Sequence, residues 1–352
     1  MAKLRVAFVG GGWVSCNRHM PAALKQPEME LVGVISTERR LPELDQAALT
    51  AKFGFRRYGT ALSESWVRDE VDALVIGTPP DSHHALVLEG LGLGKHLLVE
   101  KPFAMNVAQA DAMIAAAQAA DLRLGLIHNL QFAGAPSKAR QMLASGQIGD
   151  LRGVLGFQSS NHKRRLPTWY KPLPLGLFTD ESPHLIYMLQ ALLPGAQQMS
   201  AYVGPPLAPD DNTPHLVSTH FLSEDNISGS LHMTFVGAVS EWLLLLFGSR
   251  GTAVVDFFRD VCFVLPDDNG HESLDVLRTS IAGVSGHLLG VAASGVKHVT
   301  NQLDYGNEEV LRRFTAAVVN GAPLAGISAE DGRAVVEVMA TLNRAAPHVA
   351  DA

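Results

Sequence analysis

Gly10-Gly11-Gly12-Trp13-Val14-Ser15 follows a short apolar run, Val6 to Val9, and fits the spacing G-x-G-x-x-G/A with Ser15 in the third small position. Each position has a physical use. Gly10 permits a tight turn, Gly12 lets the backbone approach a pyrophosphate, and a helix opening around Trp13 and Val14 turns amide donors and a partial positive charge toward it. Alone, such a glycine-rich exit could be only a turn, but between a strand and a helix it reads as a dinucleotide-binding loop.

The second apolar run, Leu31 to Ile35, ends in Ser36-Thr37, where a carboxylate for the adenosine ribose hydroxyls is expected. A serine there removes repulsion against a 2′-phosphate, and Arg39 and Arg40 follow closely enough to donate charge-assisted hydrogen bonds. This favours NADP over NAD. The alternative is that Glu38 serves the ribose and the two arginines only begin a solvated helix. Two further strand exits carry polar residues, Thr78-Pro79-Pro80-Asp81-Ser82-His83 after Ala73 to Ile76, and Glu100-Lys101-Pro102 after His96 to Val99. The carboxyl ends of strands in an open α/β sheet face the ligand crevice, so Lys101 is placed where a nicotinamide would lie. Taken alone, a strand-end lysine reads as a solvated charge. His83 is expected to begin a helix beneath the same crevice.

Strands alternating with helices over roughly the first hundred residues imply a parallel sheet with right-handed crossovers. Ala104 to Ala120 is helical by propensity, and the run Leu122 to Ile127 closes this part. Beyond it, Leu151 to Ser159, Gln198 to Val203, Leu216 to Phe221, Ile227 to Phe235 and Thr252 to Phe258 read as strands with few helices between them, hence a mainly antiparallel sheet. Helical periodicity returns at Asn307 to Asn320 and Ala329 to Asn343. Gly283 to Val299, rich in Gly, Ser and Ala, is left unassigned. The expected division is a dinucleotide-binding domain over 1–127 and a substrate-binding and oligomerisation domain over 128–352.

The 352 residues are 47% hydrophobic and 18% charged, which suits an ordinary globule of about two domains. The net charge of −7 and the lack of a long basic tract argue against nucleic acid. Two cysteines, Cys16 and Cys262, make neither a disulfide scaffold nor a cysteine zinc site, and no spacing compels a metal. The longest strongly apolar cluster, Trp242 to Phe247, is far shorter than the roughly 20 residues a membrane helix needs, and no signal-peptide core precedes the glycines. A cytoplasmic protein is the expectation.

Taken together, Gly10 to Ser15, His19-Met20-Pro21, Thr78-Pro79-Pro80 with His83, Glu100-Lys101-Pro102, Ile127 to Phe132, Gly146 to Asp150 and Asp180-Glu181-Ser182-Pro183-His184 resemble the glucose-fructose oxidoreductase/inositol dehydrogenase/rhizopine catabolism (Gfo/Idh/MocA) family. The resemblance covers nearly the whole chain. It implies an α/β fold with an N-terminal Rossmann doubly wound parallel sheet and a C-terminal α+β domain on a large, mostly antiparallel sheet. It also implies reversible hydride transfer between NAD(P) and a sugar, cyclitol or related carbinol. By resemblance, Lys101 takes the catalytic lysine position, Asp180 and His184 match the Asp-x-x-x-His pair that faces it, and Asn129 lies near the substrate.

That assignment makes chemical sense, because oxidising a carbinol needs a base for the hydroxyl proton and reduction needs the same group as acid. An ordinary lysine titrates near about 10.4 and would need its pKa depressed, whereas histidine titrates in the right range unaided. His184 is thus the direct acid/base or relays protons with Lys101, and Asp180 orients the substrate or His184. Were these two residues to begin one helix, their spacing would put them on one face.

Three departures from the family pattern bear on the substrate pocket: Ser182 for a glycine, Tyr187 for a carboxylate and Gln131 for an arginine. Upstream, Asn161 to Lys171 mixes cations with aromatics, and His162 and Trp169 are its best substrate-binding candidates, although a solvated basic loop accounts for it equally. Other readings are a dihydrodiol or imine oxidoreductase, or a non-catalytic dinucleotide-binding regulator. By analogy with the family, a homodimer or homotetramer is expected.

Overall fold

The structure is a computed structural model that describes residues 3–161, 163–164, 166, 169–300 and 302–346. His162 therefore lies outside the described residues. The chain forms two compact units, one running to Asn129 and including Tyr305–Glu337, the other comprising Leu130–Asp304 and the chain from Val338 onward.

The first unit is built on six parallel strands, β1 (Leu4–Val9), β2 (Met29–Ile35), β3 (Arg57–Gly59), β4 (Ala73–Ile76), β5 (His96–Val99) and β6 (Leu124–Leu126), in the order β3-β2-β1-β4-β5-β6. This is the dinucleotide-fold order, with its reversal between β1 and β4. Helices α1 (Met20–Leu24), α2 (Gln46–Phe53), α3 (Ser65–Glu70), α4 (His83–Gly92) and α5 (Val107–Ala119) connect the strands. With helices on its faces, β4 is buried at every residue, which is why these strands read as continuous apolar runs. The glycine loop leads into a π-helical turn, Ser15–His19, before α1. Met20 N–H reaches back to Ser15 O, and Pro21 has no N–H with which to continue the ladder.

The second unit holds β7 (Leu151–Asn161), β8 (Gln197–Val203), the short hairpin strands β9 (Pro206–Ala208) and β10 (Asp211–Pro214), then β11 (Leu216–Leu222), β12 (Ser228–Gly237), β13 (Glu241–Gly248), β14 (Gly251–Asp256) and β15 (Val261–Pro266). Seven of them form one sheet in the order β15-β14-β13-β7-β12-β11-β8, with β7 and β12 parallel and the other neighbours antiparallel. Helices α6 (Gly134–Ala144), α7 (Leu177–Glu181) and α8 (Pro183–Leu192) precede most of these strands. Ala135 and Ala139 of α6 join Val154, Leu244, Leu246 and Val255 in the core on one sheet face.

The segment left unassigned from the sequence belongs to α9 (Ser273–Val299), which packs along β15. By length and composition α9 is long and apolar enough to cross a membrane, whereas the apolar cluster Trp242 to Phe247 is strand β13. Glycine, serine and alanine dilute the helix's apolar residues and hide it from a search for apolar runs. The chain then returns to the first unit through α10 (Asn307–Asn320) and α11 (Ala329–Ala345). Leu126 N–H donates to Ile327 O at 2.8 Å, and Gly332 seats against Leu126 and Phe103.

Candidate functional site

Gly10 leaves β1 with φ +99°, and a Cβ built on it would lie 2.7 Å from Gly77 O, so the turn at the β1 and β4 exits requires glycine. At Gly12 a Cβ would meet nothing within 4 Å. Its backbone faces open space, the bare approach that a pyrophosphate requires, and the loop therefore fits a dinucleotide. Trp13 is 66% exposed and Val14 is also exposed. Behind them the Arg18 guanidinium carbon lies 3.9 Å from the Tyr305 ring centroid and 5.2 Å from that of Trp13. Asn129 Nδ2 donates to Tyr305 O at 2.8 Å. Arg18 and Tyr305 left no local sequence signal, since their partnership joins the glycine loop to the returning tail.

At the β2 exit Ser36 N–H donates to Gly59 O, and Thr37 accepts the Arg40 amide on both its carbonyl and its hydroxyl. The Arg40 guanidinium pairs with Glu43 at 2.9 Å, while Arg39 and Glu38 are exposed. Both partners of the Arg40 pair face solvent, so a phosphate could compete for the arginine cheaply. Ser36 does occupy the carboxylate's expected place.

The β4 and β5 exits are tied together by His83. Its ring is fully buried, with Nδ1 2.9 Å from Pro102 O and Nε2 2.9 Å from Thr78 O. Burial holds its pKa down. Both ring nitrogens face backbone carbonyls, so His83 begins α4 as expected and positions the two loops instead of presenting a nitrogen to a ligand. Thr78 Oγ1 bonds Ser82 Oγ, and Ser82 closes onto Pro79 O. At β5, Glu100 accepts the Lys101 amide N–H at 2.8 Å and has Oε1 2.8 Å from Nε2 of buried His19. His19 thus faces Glu100 from the turn after the glycine loop. Neighbouring His128 is also buried, which pushes its pKa down to about 3 against the opposing pull of Glu100. Lys101 is half-buried.

In the second unit, Asp180 stands on α7 and His184 on α8, both half-buried. The two helices meet at Ser182, so the pair does not begin one helix, although the backbone between them stays helical. Ser182, where the family has glycine, is buried in ordinary helical backbone and needs no glycine. Tyr187 is the informative departure. Its buried hydroxyl accepts the Leu130 N–H at 2.9 Å and lies 2.9 Å from His184 Nδ1. With the hydroxyl donating to Nδ1, the neutral imidazole carries its proton on Nε2. Trp242, missed in the sequence reading, packs its ring 5.5 Å from that of His184. Its buried indole nitrogen has no hydrogen-bond partner among the described residues.

Glu181 turns inward, accepting from Ser160 Oγ at 3.0 Å, from Gln158 and from the Arg164 guanidinium. Burial raises its pKa, and Arg164 opposes the shift. Lys171 pairs with Asp210 at 2.9 Å. Two cations of the basic loop are therefore engaged within the unit, Lys163 is exposed, and Trp169 is 40% exposed.

Residues 4–128 match the model of an oxidoreductase family with an NAD-binding Rossmann fold (GFO_IDH_MocA), and residues 137–254 match the GFO/IDH/MocA C-terminal domain. An uncharacterised oxidoreductase of Schizosaccharomyces pombe is 30% identical over 53% of this chain and 50% of its own length. The 1,5-anhydro-D-fructose reductase of Ensifer adhaerens is 32% identical over 36% of this chain and 37% of its own. The chain thus spans about half or less of these relatives. The UDP-N-acetylglucosamine 3-dehydrogenase GnnA of Acidithiobacillus ferrooxidans shares the fold, with a TM-score of 0.72, 19% identity and 98% of each chain covered. An Agrobacterium radiobacter oxidoreductase solved with NAD+, L-tartaric acid and magnesium superposes with a TM-score of 0.76 at 16% identity, covering 98% of this chain and 95% of its own.

Proposed function

Since the chain belongs to the Gfo/Idh/MocA oxidoreductase family, we propose that it transfers hydride between a nicotinamide cofactor and a sugar, cyclitol or sugar-derivative carbinol or carbonyl. The observation that carries this reading is the bare backbone at Gly12, on the sheet end from which Thr78, Glu100 and Lys101 also emerge. Gly10, Gly12 and the amides near Trp13 and Val14 hold the pyrophosphate, with Thr78 and Pro79 at the nicotinamide end. A bound nicotinamide supplies or accepts the hydride. Lys101 and His184 hold and move the hydroxyl proton, His184 through Nε2, and Asp180 orients the substrate or the imidazole. Asn129 and Trp169 contribute to substrate binding.

Ser36, Arg39 and Arg40 support NADP over NAD, because a neutral β2 exit beside two cations suits a 2′-phosphate. The names of relatives such as the galactose 1-dehydrogenase of Pseudomonas fluorescens support a sugar-like substrate. A dihydrodiol or an imine is the alternative substrate. Against a non-catalytic regulator stands Tyr187, whose hydroxyl keeps His184 held despite the lost carboxylate.

Titration of nucleotide-free protein with NADPH and NADH, followed by energy transfer from tryptophan, tests the cofactor half. Tighter NADPH binding supports the Ser36/Arg39/Arg40 assignment, tighter NADH binding overturns that preference alone, and binding of neither overturns the function. Lys101→Met should abolish turnover on every sugar or cyclitol that supports it while leaving nucleotide affinity within about twofold. Normal turnover in this variant would sink the catalytic assignment.

A further inference from the structure

Helix α9 presents two faces with different fates. Gly283, Gly286 and Gly290 lie against Leu265, Phe263 and Val261 of β15, and His287 meets Phe263 edge-on. The other face carries Leu274, Leu277, Ile281, Val284, Leu288 and Val291 at spacings of three and four, from 38 to 80% exposed. That alternation is the a/d seam of a coiled coil, a pattern made to receive another helix. Leu289 and Val296 widen the seam, and no Asp, Glu, Lys or Arg occurs from Thr279 to Val296.

We infer that α9 pairs antiparallel with α9 of a second copy of this chain, making a two-fold interface along most of the helix. Its charges select the direction. The start of α9 carries Glu272, Asp275 and Arg278, with Arg278 3.7 Å from Asp275, and its end carries Lys297, 3.8 Å from Asp260, so the start is net acidic and the end basic, and antiparallel pairing sets one beside the other twice, whereas parallel pairing sets like beside like. The side-chain sizes also fit. With the dyad level with Gly286, each Leu274 meets His298 of the other copy, Leu277 meets Gly295, Ile281 meets Val291 and Val284 meets Leu288. Every apolar seam position has an opposite, and the largest gap, at Gly295, receives a leucine.

A 27-residue helix is about 40 Å long, and its seam adjoins a half-buried apolar row on the same sheet face, Phe263, Val254, Leu245 and Leu155, paired across β15, β14, β13 and β7. Together they offer the continuous apolar surface that a stable association of copies needs. A membrane-surface helix, by contrast, carries lysines and arginines along its polar face, and here that face is glycine packed on β15.

Sedimentation equilibrium on the full chain tests this. Leu288→Glu buries an unpaired charge in the seam and should weaken self-association by about tenfold or more with an unchanged circular dichroism spectrum. A second variant keeps the test open should Leu288→Glu fail to fold. The double substitution Val284→Cys with Leu288→Cys should give, on mild oxidation, a two-chain species linked between positions 284 and 288, which the wild-type chain with its own two thiols does not form. A single-chain wild type at high micromolar concentration overturns the proposal. So does self-association insensitive to both changes, a 284-to-284 link from Val284→Cys alone, or flotation of the chain with phosphatidylcholine vesicles.

Discussion

In the first unit, the residues assigned to the dinucleotide stand close behind strand ends: Gly10 and Gly12 after β1, Ser36 after β2, Thr78 after β4, and Glu100 and Lys101 after β5. In the second unit, His184 stands on a helix and draws its surroundings from far along the chain, from Leu130 through Tyr187 and from Trp242 on β13. The first arrangement is written in short motifs, so its failures should be local and chemical. The second exists only once separate segments have packed, so its failures should appear first as a misplaced imidazole.

The largest test of that contrast is His184→Gln, which should lower kcat by about 10²- to 10⁴-fold while nucleotide affinity is unchanged. An equal loss of nucleotide binding, read by fluorescence titration, would break the separation. Next come two glycines of one loop. Gly10→Ala should cost about 2 kcal/mol in urea unfolding, through its positive φ and the Gly77 carbonyl. Gly12→Ala should leave stability within about 0.5 kcal/mol while weakening nucleotide binding, because only a ligand would meet its Cβ.

His128 supplies a pH dependence. Its folded pKa is about 3 against an ordinary 6.5, so the unfolded chain takes the proton first. The stability it contributes is fully present above about 6.5 and is lost as pH falls toward 3, the loss having reached about 2 kcal/mol at pH 5. His128→Gln should flatten that slope in denaturation curves at pH 5 and pH 8. The smallest effect is that of Tyr187→Phe, about 1 kcal/mol in kcat/KM, with a shifted pH–rate profile because the His184 tautomer is released. An unchanged profile would mean that the hydroxyl does not set the tautomer.

How far each region could be read from sequence follows the same division. The glycine loop, the buried strand runs and Glu100-Lys101-Pro102 are contiguous, and parallel strands covered on both faces announce themselves as apolar runs. The alternation in β7 and β13 likewise marks a sheet with unlike faces. What could not be read was the pairing of distant groups. Nothing near Arg18 points to Tyr305, nothing near Tyr187 points to Leu130, and Glu100 gives no hint of His19. Helix α9 stayed hidden for another reason. The glycines that let it lie close on β15 are poor helix formers, and they interrupt the apolar pattern that would have exposed it.

The parallel pairing of β7 with β12 has a consequence for the order in which the ribosome delivers the parts. Both neighbours of β7 in the sheet, β12 and β13, come after it and after the intervening helices α7 and α8. A nascent chain that has just released β7 therefore has no strand with which to pair it. The first unit waits longer still, because the Leu126 amide at its β6 edge bonds Ile327, made only after the whole second sheet. The unit begun first is the one finished last.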